Sequence, residues 1–136
     1  MIAPWARQYF GIPFKPHGRD RGGLDCWGLL RLVYMDQFGI DLPSFSERYA
    51  STEDEKELGR LISGELGPWR PVTGGEELPG DGVLLRVKGE PMHVGVVIGG
   101  GFMMHVMRGM DVARERYQSR GWRKRVLGFY RHEAMK

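Results

Sequence analysis

The sequence predicts an α+β fold in which the helices come first and an antiparallel sheet follows. In residues 1–67 the apolar residues recur at helical spacing between polar and glycine-rich stretches. From residue 83 onward the period changes, and short runs rich in Val, Ile, Leu, Met and Phe alternate with glycine-containing turns. Helices followed by neighbouring strands are typical of the α+β class. The length of 136 residues suits a single domain, which is predicted to span residues 1–136.

The N-terminal part predicts a short helix over residues 3–10, a loop over residues 11–23 and then a longer helix. Asp25 is a preferred N-cap residue type and marks the start of that longer helix. Gly39 marks its end, because glycine readily adopts the left-handed conformation that follows many helices. The predicted buried stripe consists of Leu29, Leu30, Val33 and Phe38.

A second helix is predicted from Ser51 or Thr52 to about residues 64–67, since Thr52 and Glu55 have the capping-box spacing. The strands that follow are predicted over residues 83–87, 93–98, 102–107 and 125–131, with a further short one near Val112.

The charge is mildly basic and unevenly distributed. The net charge is +3, yet residues 108–131 hold eight Lys or Arg residues and only two acids. Such a surface attracts nucleic acid, anionic lipid or an acidic polymer such as a cell wall. No aromatic-interleaved motif accompanies the basic residues, so no nucleic-acid partner is expected. No run of about 18 apolar residues is present, so no membrane span is expected either.

Cys26 is the only cysteine, which excludes a disulfide within the chain. The N-terminus lacks the basic start and apolar stretch of a secretory signal, which predicts synthesis in a cytoplasm, where a lone thiol stays reduced. The thiol lies at the predicted helix start. There, unpaired amides and the helix dipole stabilise the thiolate, which lowers the thiol pKa from its ordinary value of about 8.5. Cys26 is therefore either core filling or a nucleophile.

Two histidines fall in neighbouring predicted strands and could serve such a nucleophile. If residues 99–101 form a three-residue loop, His93 lies opposite Met107 and His105 is its diagonal neighbour on the same face. A two-residue or four-residue loop puts the rings on opposite faces. On one face, one ring can act as a base while the other fixes its orientation.

Less specific interpretations remain open at this level. A lone cysteine in a helix is most often a buried small hydrophobe, and a histidine in a strand is most often a satisfied polar residue. Metal binding by Cys26, His93 and His105 is possible in principle, but the ligands lack the close pair spacing usual for zinc. Spacing alone does not decide between these interpretations and catalysis.

Two sequence blocks resemble the NlpC-type cell-wall cysteine peptidases. The first is Asp25-Cys26-Trp27-Gly28-Leu29-Leu30, followed by Tyr34 and by Gly39-Ile40-Asp41-Leu42-Pro43. The second is Pro79-Gly80-Asp81, followed by His93-Val94-Gly95-Val96-Val97-Ile98-Gly99. His105 falls where the family's third, orienting polar residue lies, and the resemblance spans about residues 10–131.

The resemblance implies a papain-like fold in which N-terminal helices, including the nucleophile helix, pack on an antiparallel sheet. It implies hydrolysis of peptidoglycan stem peptides, typically between D-γ-glutamate and a diamino acid, without a metal or other cofactor. In these terms Cys26 attacks the carbonyl, His93 is general base and then general acid, and His105 orients His93. The backbone amide of Cys26 is then a candidate oxyanion donor.

The same resemblance implies substrate-binding roles for Asp25, Trp27 and Phe14, with Asp25 also capping the helix. Many family members have serine where this chain has Trp27, and tyrosine where it has Phe14. Both differences change the groups that contact the end of the stem peptide.

The details resemble the bacteriophage tail-associated branch of the family. They are the opening Phe10-Gly11-Ile12-Pro13-Phe14, the Cys-Trp-Gly-Leu form of the motif, and the closing Trp122-Arg123 and Gly128-Phe129-Tyr130-Arg131. The resemblance implies a virion component at the tail tip that contacts other tail-tip proteins and acts at the bacterial cell wall. The alternatives are a structural tail-assembly subunit with an idle site, and a cytoplasmic thiol hydrolase or acyltransferase on the same fold.

Overall fold

The computed structural model describes residues 1–42, 68–87 and 90–135, and within them it shows the expected α+β arrangement. The elements in chain order are a 3₁₀ helix (Pro4–Tyr9), β1 (Arg19–Asp20), β2 (Gly23–Leu24), α1 (Cys26–Val33), a π-helical turn (Tyr34–Phe38), β3 (Trp69–Val72), β4 (Gly82–Val87), β5 (Glu90–Gly99), β6 (Phe102–His105), β7 (Ala113–Arg116) and β8 (Val126–His132). The second helix predicted from Ser51 or Thr52 lies outside the described residues. No helix in the described ranges is long and apolar enough to cross a bilayer.

Among the described residues, the main sheet has six antiparallel strands in the order β3-β8-β4-β5-β6-β7. The four longer predicted strands and the short one near Val112 are confirmed, with ends that differ by up to three residues. The sequence prediction missed β3, which contains Pro71 and, within the part of the chain that the structure describes, pairs with β8 alone at the sheet edge. Proline cannot donate to a ladder, so it weakens a strand pattern and is tolerated mainly at such an edge.

The hairpin between β5 and β6 has the predicted register, but its turn differs from the predicted three-residue loop. Gly99 pairs with Phe102, which leaves a two-residue turn, whereas Val97 pairs with Met103. Ile98 is therefore an extra residue in β5, a bulge that shifts the register by one. The bulge and the shorter turn offset each other, so the remaining pairs are those of a three-residue loop.

The helix α1 begins and continues as its sequence predicts. Asp25 is the N-cap, and its side chain accepts a hydrogen bond from the backbone amide of Gly28. The last turn widens into the π-helical turn, and Gly39 follows it in a left-handed conformation with φ of 66°. Leu29, Leu30 and Val33 are fully buried.

The sheet carries apolar side chains on both faces, because successive apolar residues along a strand point to opposite faces. The helix-side cluster joins residues of α1 to Leu84, Val94, Val96, Ile98 and Met104 of the sheet. The opposite cluster consists of Val83, Leu85, Val97, Met103, Tyr117 and Phe129. The helix packs mainly on β5 among the strands of the main sheet, and β5 is the strand that carries His93.

Candidate functional site

Asp25 fastens the loop before α1 to the start of the helix. Its Oδ1 accepts hydrogen bonds from the Gly28 amide at 2.7 Å and from Arg19 Nη1 at 2.6 Å. Its Oδ2 accepts a hydrogen bond from the His17 amide at 3.2 Å. Asp25 is 6% exposed and its carboxylate accepts three hydrogen bonds, so the residue before Cys26 is held both to the helix and to the preceding loop.

Cys26 is the first residue of α1 and is partly buried against the helix-side cluster. A thiol at this place lies near the positive end of the helix dipole, as the sequence predicts. Because α1 packs on β5, the thiol and the His93 ring belong to neighbouring elements. In the function proposed below, the His93 ring takes the proton of this thiol.

His93 and His105 lie together on one face of the sheet, as the hairpin argument predicts. His93 Nε2 is 2.9 Å from His105 Nδ1, and the ring centroids are 5.1 Å apart at an interplanar angle of 67°. Strand alternation places both rings with Val97 and Met103, the opposite cluster. The exposed fractions are 5% for His93 and 0% for His105, so the pair is shielded from water.

Glu115 and Trp122, neither of which was predicted to be a site residue, complete this group. His105 Nε2 forms a hydrogen bond with Glu115 Oε2, and Trp122 Nε1 donates a hydrogen bond to Glu115 Oε1 at 3.2 Å. The indole stacks on His93, with ring centroids 6.1 Å apart, and meets His105 edge-on at 5.1 Å. The run Arg114-Glu115-Arg116 contains a signal for Glu115. In a strand, side chains alternate between the two faces, so Glu115 lies on the face opposite the two arginines.

The electrostatics of the pair follow from its burial. Burial, and then the neighbouring His105, lower the pKa of His93 to about 3. Burial also lowers the pKa of His105, although the hydrogen bond and charge of Glu115 oppose that change. Both rings are therefore neutral at pH 7, and a neutral imidazole is the form that accepts a proton.

We expect the protein to lose stability as the pH falls from about 6.5 toward 3. A histidine whose pKa is lowered by folding binds a proton more readily in the unfolded chain, so acid favours unfolding in this window. One such histidine changes the free energy of unfolding by about 1.4 kcal/mol per pH unit. Urea unfolding at pH 5, 6 and 7 measures how the free energy of unfolding changes with pH. His93→Gln should reduce this slope by about 1.4 kcal/mol per pH unit, the contribution of one bound proton. A pH-independent free energy of unfolding contradicts the prediction.

The three predicted substrate-binding residues lie in different surroundings. Trp27 is 0% exposed and packs edge-on against Trp69, with centroids 6.4 Å apart, so it is part of the core. Phe14 is half-buried with the Arg108 guanidinium over its ring at 5.2 Å, a position at the surface. In the described residues, Asp25 is occupied with the capping contacts above. Those residues contain no group of three or more His, Cys, Asp or Glu side chains arranged to hold a metal ion.

Comparison with known proteins finds the same kind of domain in bacterial cell-wall enzymes. The chain is 27% identical over 115 residues to the murein DD-endopeptidase MepS/murein LD-carboxypeptidase of Escherichia coli K12, which covers 85% of this chain and 53% of that protein. It is 27% identical over 121 residues to a probable endopeptidase NlpC homolog of Haemophilus influenzae, covering 89% of this chain and 56% of that protein. The chain thus spans about half the length of these curated relatives.

Solved structures share the fold. The NlpC/p60 domain of the peptidoglycan hydrolase SagA matches with a TM-score of 0.60 and 25% identity, covering 92% of this chain and 90% of that one. An NlpC/P60 family protein from Bacillus cereus matches with a TM-score of 0.69 and 21% identity, covering 93% of this chain and 37% of that one. The NlpC/P60 family profile matches residues 11–131. With nearly the whole chain inside that match, this protein belongs to the NlpC/P60 family.

Proposed function

We propose that this chain is a peptidoglycan endopeptidase that uses Cys26, His93 and His105. The observation that carries the proposal is the buried histidine pair, joined at 2.9 Å, in which His93 lies on β5, the strand against which the Cys26 helix packs. Family membership and relatives named as murein endopeptidases support the substrate class. A neutral imidazole held by a second ring is the arrangement that a thiol nucleophile needs from its base.

The proposed reaction proceeds through a thioester. His93 takes the proton of the Cys26 thiol while Sγ forms a bond to the scissile carbonyl carbon, and the carbonyl oxygen becomes an oxyanion. The Cys26 backbone amide is the candidate donor to that oxyanion. His93 then gives the proton to the leaving amine as the carbon–nitrogen bond breaks. Water, deprotonated by His93, attacks the thioester and releases the new carboxylate, and the proton returns to sulfur.

For the bond itself we propose the link between D-γ-glutamate and the diamino acid of the stem peptide. The support is the resemblance of the Cys26 and His93 blocks to enzymes with that activity. The Escherichia coli relative is named a murein DD-endopeptidase and LD-carboxypeptidase, which makes those two bonds the competing candidates. The three cleavages give products of different mass from the same substrates.

Digestion of defined muropeptides distinguishes the candidates. Disaccharide tetrapeptide and its D,D-cross-linked dimer are incubated with the wild type and with Cys26→Ala, and the products are identified by mass spectrometry. We expect the wild type to release the diamino acid with its attached alanine, and Cys26→Ala to release nothing. Conversion of dimer to monomer assigns the D,D-bond instead, and loss of only the terminal alanine assigns the L,D-bond. Identical products from both proteins contradict the proposed activity.

We further propose that the enzyme works at a bacteriophage tail tip, where it opens the wall locally. The support is the Phe10–Phe14 stretch, the Cys-Trp-Gly-Leu motif and the C-terminal segment around Trp122. A structural assembly role is the second candidate, favoured by the exposed cationic side chains of Arg114, Arg116, Arg123, Lys124 and Arg125. Virions with Cys26→Ala that assemble but penetrate the wall slowly support the enzymatic role, whereas normal infection favours the structural one.

A further inference from the structure

We propose that Glu115 is a positioning residue that sets the proton positions on both histidines, and that Trp122 holds Glu115 in the orientation this requires. The proposal rests on the function above, because it concerns the same base. It is carried by the chain of contacts Trp122–Glu115–His105–His93, in which each polar atom faces one partner.

The proton positions follow from counting donors and acceptors along this chain. The Glu115 carboxylate can only accept, so His105 Nε2 must carry a hydrogen and donate it. A neutral His105 then has a bare Nδ1, which accepts a hydrogen bond from His93 Nε2. His93 in turn has its only proton on Nε2, and its Nδ1 is left as the nitrogen that can accept the proton of the thiol. The carboxylate therefore selects the basic nitrogen of a ring it does not touch.

Trp122 makes this selection depend on a carboxylate in particular. Its indole N–H donates to Oε1 while His105 donates to Oε2, so residue 115 must present two acceptors. A carboxylate has two acceptor oxygens, whereas an amide has one acceptor and one donor end. The indole also lies over His93, which limits the ring to its present orientation.

The substitution Glu115→Gln should consequently reverse the proton positions. The amide oxygen stays with the indole N–H, and the amide NH₂ faces His105 Nε2, which must then become an acceptor. His105 now donates from Nδ1 to His93 Nε2, and the proton of His93 moves to Nδ1, where it blocks proton acceptance. Replacing the indole as well, in Glu115→Gln/Trp122→Phe, frees the amide to turn its oxygen toward His105 and restores the original arrangement.

The test combines a spectroscopic and a kinetic measurement. Long-range ¹H–¹⁵N spectra of histidine-labelled protein at pH 7 report which nitrogen of each ring carries the proton. We expect protonated Nε2 on His93 and His105 in the wild type, protonated Nδ1 on both in Glu115→Gln, and a return toward the wild-type pattern in the double variant. The value of kcat on muropeptides should fall about 10- to 100-fold in Glu115→Gln with KM nearly unchanged, and recover in part in the double variant.

Glu77→Gln is the matched control, since Glu77 also uses its carboxylate to hold an aromatic side chain, accepting from the Tyr117 hydroxyl at 2.6 Å. It should leave the histidine spectra and kcat unchanged. Wild-type proton positions in Glu115→Gln overturn the proposal, as does a double variant that shows no recovery in the spectra. The spectra are recorded without turnover, so a protein that cleaves no muropeptide contradicts the proposed function while the role of Glu115 is still decided.

Discussion

Replacing Gly28 with alanine should lower the free energy of unfolding by about 3 kcal/mol or more. A Cβ built on Gly28 lies 2.0 Å from the carbonyl oxygen of Gly18, a contact that real Cβ atoms do not make. The obstacle is backbone, and that backbone is held in turn by Arg19, which donates to the same Gly18 oxygen at 2.8 Å and to Asp25. The loop cannot withdraw without breaking the contacts that fix the start of α1.

Helix propensity alone predicts the opposite sign, because alanine is favoured over glycine within a helix by about 1 kcal/mol. The experiment therefore separates close packing from propensity. Urea unfolding of Gly28→Ala is compared with that of Gly74→Ala, where an added Cβ meets nothing within 4 Å. Gly74→Ala should change the free energy of unfolding by no more than about 0.5 kcal/mol. A stabilised Gly28→Ala protein contradicts the close approach of residues 18 and 28.

The close approach of residues 18 and 28 also explains the residue types in the motif around Cys26. Gly28 admits the loop, Asp25 binds it, and Trp27 fills the core beneath the helix. From sequence alone the resemblance implied a substrate contact for Trp27, because many family members have at this position a serine that contacts the stem peptide. The side of a helix on which a residue lies is set by packing, and a one-residue step from Cys26 turns about 100° around the axis, toward Trp69.

The position of the histidine pair was predictable, because side chains along a strand alternate strictly between two faces. The position of Glu115, which contacts the pair, was not. Strand alternation places His93 and His105 on one face even though the hairpin combines a two-residue turn with a bulge at Ile98. Glu115 lies on β7, opposite Met103 and diagonal to His105. The register of β7 is set by the irregular segment between β6 and β7, and no sequence period extends across that segment.

The substitution His93→Gln should reduce kcat on muropeptides by about 10³- to 10⁴-fold while leaving the fold intact. The glutamine amide can still donate to His105 Nδ1, the contact that His93 Nε2 makes at 2.9 Å, so the buried polar partner keeps a hydrogen bond. What is lost is the nitrogen that takes the proton of Cys26 and later delivers it to the leaving amine. No other described residue in the chain of contacts offers that nitrogen to the thiol.

His105→Asn is the informative comparison, because it removes an orienting group and keeps the base. We expect a smaller loss, about 10- to 100-fold, since His93 retains its own proton-accepting nitrogen. The rate at which iodoacetamide alkylates Cys26 at pH 7 should fall in the same order, with His93→Gln slower than His105→Asn and both slower than the wild type. If His93→Gln keeps kcat within tenfold of the wild type, His93 is not the base. If the two variants lose activity equally, the rings act as one coupled pair rather than as a base and its support.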